Sequence, residues 1–262
     1  MGRMRWTAGE QAGTFAEPHW DEMRRAAARR EDDSQDKLDP VDLVRRAWSD
    51  AESRGEVRWT SPRTIEVVLQ SGTTAATDRA QAAMRAAEGE AEHWKRLLLV
   101  AGAVTTVLAP APLYVVGGMV VESYTQGAYV TRAIAFATDL LPERIAARVP
   151  DLGFLRLPTG AWLHPHLRVV LDFSARPDPS ETSRVVTARL GGVSVRMRAL
   201  EDTLLDGLQA AARRRHATAE VWVRHMLAAH WDRIGWRLME RQAARAGCAE
   251  LLGRLKRELG HA

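Results

Sequence analysis

Residues 113–140, LYVVGGMVVESYTQGAYVTRAIAFATDL, decide how this chain is read. Tyr114–Val116 is a short apolar, largely β-branched run and predicts a strand. Gly117-Gly118 then lets the backbone turn sharply and lie close to whatever it faces. Met119–Tyr124 predicts a helical turn or two, and Thr131–Thr138 a second strand. Residues two apart on a strand share a face. Ala133, Ala135 and Ala137 therefore line one face of that strand, and Arg132, Ile134 and Phe136 the other. Alanine is a poor strand former and fills little space. A face of three alanines is either pressed against a helix or open toward a cleft. If the helix starts at Met119, its first N–H groups have no partner within the helix and suit an anion such as a triphosphate. Strand, double glycine and helix occur together in many folds, so this feature alone is weak.

Outward from that stretch, the pattern is helical, then mixed, then helical again. Residues 1 to about 36 are polar, with a helix expected over Pro18–Arg30 and a linker at 31–37, EDDSQDK. Asp39-Pro40 opens a further helix with a cap residue and a proline at its first position. Leu43, Val44, Ala47 and Trp48 give it an apolar stripe, and Gly55 ends it. Val57–Leu69 reads as a hairpin around Ser61-Pro62, either part of a winged helix or a small cap. Ala75–Leu108 is Ala-rich and helical, its first half exposed and Leu97–Leu108 buried. A core domain then begins near Pro110. Beyond the opening stretch it comprises a helix at Pro142–Val149 and a hairpin of Phe154–Leu157 with Ala161–Leu163. A strand at Arg168–Phe173 follows, then a hairpin of Val185–Leu190 with Val193–Met197 across Gly191-Gly192. Helices are expected over about 200–215, 218–230, 233–246 and 248–259. Strands followed by a run of helices predict an α+β fold. The expected division is an N-terminal helical region with a small hairpin (1–95), a mixed-sheet core (96–198) and a C-terminal helical bundle (199–262).

Composition narrows the class. The chain has 262 residues, 46% of them hydrophobic and 27% charged, which are globular values. Its one cysteine, Cys248, excludes an intrachain disulfide and fits a reducing, cytoplasmic setting. The first twenty residues lack the apolar core of a signal peptide. The longest apolar stretch, Leu97–Val121, is broken by Pro110, Pro112, Gly117 and Gly118, so no membrane span is expected. Net charge is +4, and from Ser183 onward there are 15 Arg or Lys against 8 Asp or Glu. That excess suits phosphates or RNA. Alternating signs along most of the helices point equally to a plain solvated surface.

Taken as a set, these motifs resemble the nucleotidyltransferase-fold superfamily, in particular its bacterial toxin-type and uncharacterised members. Their pattern runs Tyr-Val-Val-Gly-Gly, then Tyr-Thr-x-Gly-x-Tyr-x-Thr, then Asp-x-Asp. This chain has Tyr114–Gly118 and Tyr124–Thr131 in place, and Ala133-Ile134-Ala135 where the aspartates fall. Leu200-Glu201-Asp202-Thr203-Leu204-Leu205-Asp206 is similar to the start of a family helix. The resemblance spans about residues 95–250 and implies a nucleotidyltransferase-like mixed sheet flanked by helices. It implies NTP as substrate and Mg²⁺ held at positions 133 and 135 with a third carboxylate on a neighbouring strand, for which Asp172 is the candidate. Gly117, Gly118, Met119, Thr131 and Arg132 would line the nucleotide. Arg196, Arg198, Arg213 and Arg214 are candidates for substrate phosphates, with surface ion pairs or helix-end charges as the plainer reading. The acceptor implied is an RNA, such as a tRNA end, or a protein hydroxyl, in a toxin–antitoxin or defence system with a cognate antitoxin as partner.

Two origins fit the alanines: targeted replacement of aspartates, or a naturally inactive protein that binds nucleic acid or protein as a regulator. Either way one remaining carboxylate holds Mg²⁺ poorly, and the chain as written is expected to be inactive. A small-molecule nucleotidyltransferase is a third reading. The remaining signals are weaker. His164-Pro165-His166 lacks a third ligand at useful spacing. His225 and His230 read as packing or solvent-facing, Cys248 as packing. Trp222, Trp231 and Trp236 read as core rather than base-stacking residues.

Overall fold

The computed structural model describes residue 49 and residues 57–61, 64–67, 76–175, 184–213 and 218–260, all within the unit Pro40–Ala262. The helix expected over Pro18–Arg30, the one from Asp39 to Gly55 apart from residue 49, and Arg214 with its neighbour Arg215 lie outside the described residues. The fold is α+β: a nine-stranded mixed sheet with helices packed against it and a run of helices after it.

In chain order the strands are β1 (Val57–Ser61), β2 (Thr64–Val67), β3 (Leu113–Val116), β4 (Ala133–Thr138), β5 (Leu155–Arg156), β6 (Trp162–His164), β7 (Val169–Ala175), β8 (Val185–Leu190) and β9 (Val193–Arg198). Across the sheet they run β1-β2-β8-β9-β3-β4-β7-β6-β5. The helices are α1 (Ala76–Gly89), α2 (His93–Leu108), α3 (Gly118–Tyr124), α4 (Pro142–Ala146), α5 (Leu200–Ala212), α6 (Ala219–Ala229), α7 (Trp236–Arg245) and α8 (Ala249–Glu258). None of the described helices is long and apolar enough to cross a membrane.

The hairpin expected at 57–69, as part of a winged helix or as a small cap, forms from Val57–Ser61 and Thr64–Val67. Its second strand pairs in parallel with β8, Ile65 opposite Ala188, and so extends the core sheet. The β8–β9 hairpin turns at Gly191 and Gly192, both at positive φ (56° and 77°), as a two-residue hairpin loop matching the strand twist requires.

The core is centred on α2. Leu97–Val104 is buried without a break, as expected from a run apolar on every side. Gly102 lets this helix lie directly on β9: a methyl added there would sit 2.3 Å from Cγ2 of Val193. Against α2 lies α1, through Ala80, Ala83, Met84 and Ala87, a stripe at helical spacing, while its other faces are exposed. The buried face of β4 is supplied by Ile134 and Phe136, both 0% exposed, and Phe136 stacks on Phe173 of β7 at 5.1 Å. Burial of these two side chains explains why an alanine-rich segment is a strand at all: packing overrides its weak intrinsic preference.

Candidate active site

β4 runs antiparallel to β3 and parallel to β7. The register places Val116 opposite Ala135, and Ala135 opposite Asp172. β9 joins the other side of β3 in parallel, with Val115 opposite Met197, so Arg198 falls beside Val116. Paired residues share a face, so Arg198, Val116, Ala135 and Asp172 form one row across four strands. The row is open. Ala133 is exposed and Ala135, Asp172 and Val116 half-buried, whereas Ala137, further along the same face, is buried. The alanine face is thus closed at one end and opens toward solvent at the other. Beyond Asp172 the pairing slips, Ala137 meeting Ala175, and this bulge interrupts the regular ladder just past the row.

The double glycine abuts this row, and its two members serve different ends. Gly117 is exposed and has φ 72° and ψ −146°, a conformation essentially confined to glycine. A methyl on it would lie 4.0 Å from Cβ of Ala135. Gly118 makes room for the loop that follows α3: a methyl there would meet the Tyr129 hydroxyl at 3.2 Å and Oγ1 of Thr131 at 3.3 Å. Met119 is buried in the core by its side chain, so only its main chain is available at the turn.

Loop 125–132 is pinned from below by a carboxylate that the reading of the sequence passed over. Glu122 of α3 is 0% exposed. Its Oε2 accepts the Thr131 N–H at 2.7 Å, and its Oε1 lies 2.6 Å from Nδ1 of His93 on α2. Thr131 then accepts the Ala133 N–H at 3.3 Å through Oγ1, at the head of β4. Thr125 holds the other end of the loop, donating to the Val121 carbonyl at 2.9 Å and accepting the Tyr129 N–H at 3.2 Å. The one signal that marks Glu122 in the sequence is its place as a lone charge directly after the apolar run Met119–Val121. Burial raises the pKa of Tyr129, and the nearby Glu122 adds to the shift, so its hydroxyl stays protonated at neutral pH. The Tyr129 ring meets Trp222 of α6 edge-on at 5.1 Å.

The C-terminal helices are tied to the same corner. Tyr124 Oη donates to the Arg198 carbonyl at 3.1 Å. The Tyr124 carbonyl accepts from Nε2 of His230 at 2.8 Å. Burial lowers the His230 pKa to about 4, so that ring is neutral with its proton on Nε2. Oε1 of Glu201, at the start of α5, accepts the Gly235 N–H at 2.9 Å.

The structure brings Gly117, Gly118, Thr131, Ala133, Ala135 and Asp172 into one corner, with Arg198 at the end of the row. Arg132 is exposed, and its carbonyl accepts the Val170 N–H at 2.8 Å, fastening β4 to β7. Arg198 is engaged by Asp206 of α5, at 3.0 Å and 3.2 Å. Arg196 lies one pleat in from Arg198, opposite Thr187. Arg213, at the far end of α5, stands roughly 20 Å along the helix from the row. Its charge reaches Cys248 instead, where it opposes the rise in pKa that burial imposes on that thiol.

Among the described residues no three His, Cys, Asp or Glu side chains are gathered to hold a metal ion. Among the described residues the open row of the sheet carries one carboxylate, Asp172, and a single carboxylate does not fit a hard cation that takes six oxygen ligands. His164 is buried: its Nδ1 accepts the Leu167 N–H at 3.2 Å, and its ring meets Phe154 edge-on, which is a packing role. Compared with family models, with curated proteins and with solved structures, the chain matches none.

Proposed function

We propose that the chain carries the frame of a metal-dependent nucleotidyltransferase, disabled at two of its three metal-carboxylate positions. The observation that supports this best is register. Positions 135 and 172 are direct neighbours on adjacent parallel strands, and position 133 lies on the same open face one pleat away. The glycine turn borders them. Aspartates at 133 and 135 would join Asp172 in one solvent-facing corner, a set suited to Mg²⁺. Such a set supplies charge neutralisation on the phosphates of an NTP. In the reaction an acceptor hydroxyl oxygen bonds to the α-phosphorus and its proton passes to solvent, the bond from the α-phosphorus to the bridging oxygen breaks, and pyrophosphate leaves.

The chain's own residues contribute the scaffold. Glu122 and Thr125 fix the loop that leads into β4, Gly117 keeps the turn low beside Ala135, and Arg198 supplies a cation at the end of the row, released from Asp206 when phosphate competes for it. With alanine at 133 and 135 the chain as written does not catalyse. The setting that fits an NMP transfer to RNA or protein is a toxin or defence system.

The test is transfer of label from α-³²P NTPs, each of the four in turn, to total cellular RNA and protein. It compares the chain as written with Ala133→Asp/Ala135→Asp. Transfer by the double variant alone supports the proposal and identifies the acceptor class. Absence of transfer by both favours a regulator that binds without catalysis.

A further inference from the structure

Arg237, Arg241 and Arg245 follow one another at intervals of four along α7. All three are exposed. Residues four apart stack along one helix face, so their guanidinium groups rise by about 6 Å per step and span roughly 12 Å. Like charges at this spacing destabilise a helix. Arg237, Arg241 and Arg245 make no ion pair among the described residues. The one carboxylate in their midst, Glu240, is taken by Lys256 of α8 at 2.7 Å. The neighbouring face differs: there Arg254 is neutralised by Glu220 at 2.8 Å and Glu258 at 3.0 Å, and Arg224 by Glu258 at 2.5 Å. The fold therefore balances one set of arginines and leaves the other unbalanced.

The start of α7 is tied to the elements that flank the candidate active site. It is held by the Gly235 N–H on Glu201 and by His230 on the Tyr124 carbonyl, at 2.9 Å and 2.8 Å. Glu201 is three residues from Arg198, the end of the open row on the sheet. From there the arginines lead away along α7.

We infer that this face of α7 is a docking surface for the phosphate backbone of an RNA whose end reaches the corner at Ala133, Ala135 and Asp172. Charge complementarity chooses the partner. The face has no exposed large apolar side chain: Trp236 and Leu238 are half-buried, and Met239 is buried. Protein interfaces are built on apolar and aromatic anchors, whereas nucleic-acid interfaces are polar and strongly positive. The inference rests on the proposed function in choosing RNA as the acceptor. The binding itself needs no catalysis and is measurable on the chain as written.

The experiment is fluorescence anisotropy of the full chain with fluorescein-labelled bulk tRNA between about 50 and 200 mM salt. The variant is Arg237→Gln/Arg241→Gln/Arg245→Gln. The control, Arg85→Gln/Arg144→Gln/Arg148→Gln, removes the same charge from exposed positions elsewhere. Affinity is expected to fall about tenfold or more in the α7 variant, with the log–log salt slope reduced by about 2. The control should stay within about twofold of the parent, with its slope unchanged. Single Arg241→Gln, reducing the slope by about 0.7, covers the case in which the triple variant folds poorly. Equal losses in variant and control, no binding at the lowest salt, or displacement of the tRNA by polyglutamate at equal charge each overturn the inference. Transfer activity in the aspartate-restored chain can stand or fall independently of all three.

Discussion

Replacing Glu122 with alanine should destabilise the protein by about 2–4 kcal/mol, and the figure follows from what the carboxylate touches. Its oxygens are fully buried and serve two groups, the Thr131 N–H at 2.7 Å and Nδ1 of His93 at 2.6 Å. The Thr131 amide would be left without its acceptor in a half-buried loop, which costs about 1–3 kcal/mol. His93 keeps 30% of its side chain exposed and can turn to water, so its loss is smaller, near 1 kcal/mol. For a chain of this size the sum lowers Tm by about 5–15 °C. Glu122→Gln keeps an acceptor for Thr131 and places an amide N–H against His93, and should recover most of the loss. Urea unfolding followed by circular dichroism gives the global value, and amide exchange at Thr131 and Ala133 gives the local one. A change below about 0.5 kcal/mol for Glu122→Ala, with exchange at both amides unaltered, would refute the view that this carboxylate pins the entry to β4.

Three further outcomes follow from other parts of the structure. Gly102→Ala should cost about 1–3 kcal/mol in urea unfolding, because its methyl would sit 2.3 Å from Cγ2 of Val193 in the helix–sheet interface. Gly117→Ala should cost a similar 1–3 kcal/mol through its φ of 72°, read by the same titration, and in the aspartate-restored chain it should also lower transfer. His230 carries a pKa lowered by burial from 6.5 to about 4, so the unfolded chain binds more protons between those values. Its contribution is complete above about pH 6.5 and is lost as pH falls toward 4, a total near 3 kcal/mol. Urea titrations across that range should show a steeper loss in the parent than in His230→Gln, and parallel curves would contradict the assignment.

Local chemistry was readable and long-range pairing was not. The Gly191-Gly192 hairpin declares itself because the turn needs two residues at positive φ, and glycine supplies both. β4 is legible despite its alanines because Ile134 and Phe136 alternate with them and supply a buried face. The addition of β2 to β8, by contrast, is a main-chain pairing between distant segments with no sequence mark, so the sequence alone reads there as part of a winged helix or a small cap. Asp172 could be singled out as a carboxylate on a nearby strand, yet its place directly opposite Ala135 depends on that same kind of pairing. Arg213 seemed eligible by charge, and only the length of α5 shows that it sits at the far end. The α7 arginines do not stand out in the charge summed over the whole stretch from Ser183 onward. Counting at intervals of four along one helix isolates them.

One corner of the sheet carries the proposed chemistry, and its most direct measurement is label transfer from α-³²P NTPs by the Ala133→Asp/Ala135→Asp chain in the presence of Mg²⁺, beside the chain as written and a triple variant that also carries Asp172→Ala. Transfer by the double variant, absent from the chain as written and abolished again by Asp172→Ala, is the predicted result. Transfer that survives the loss of Asp172, or its absence from a double variant shown to be folded, would contradict the claim that positions 133, 135 and 172 form one metal-binding set.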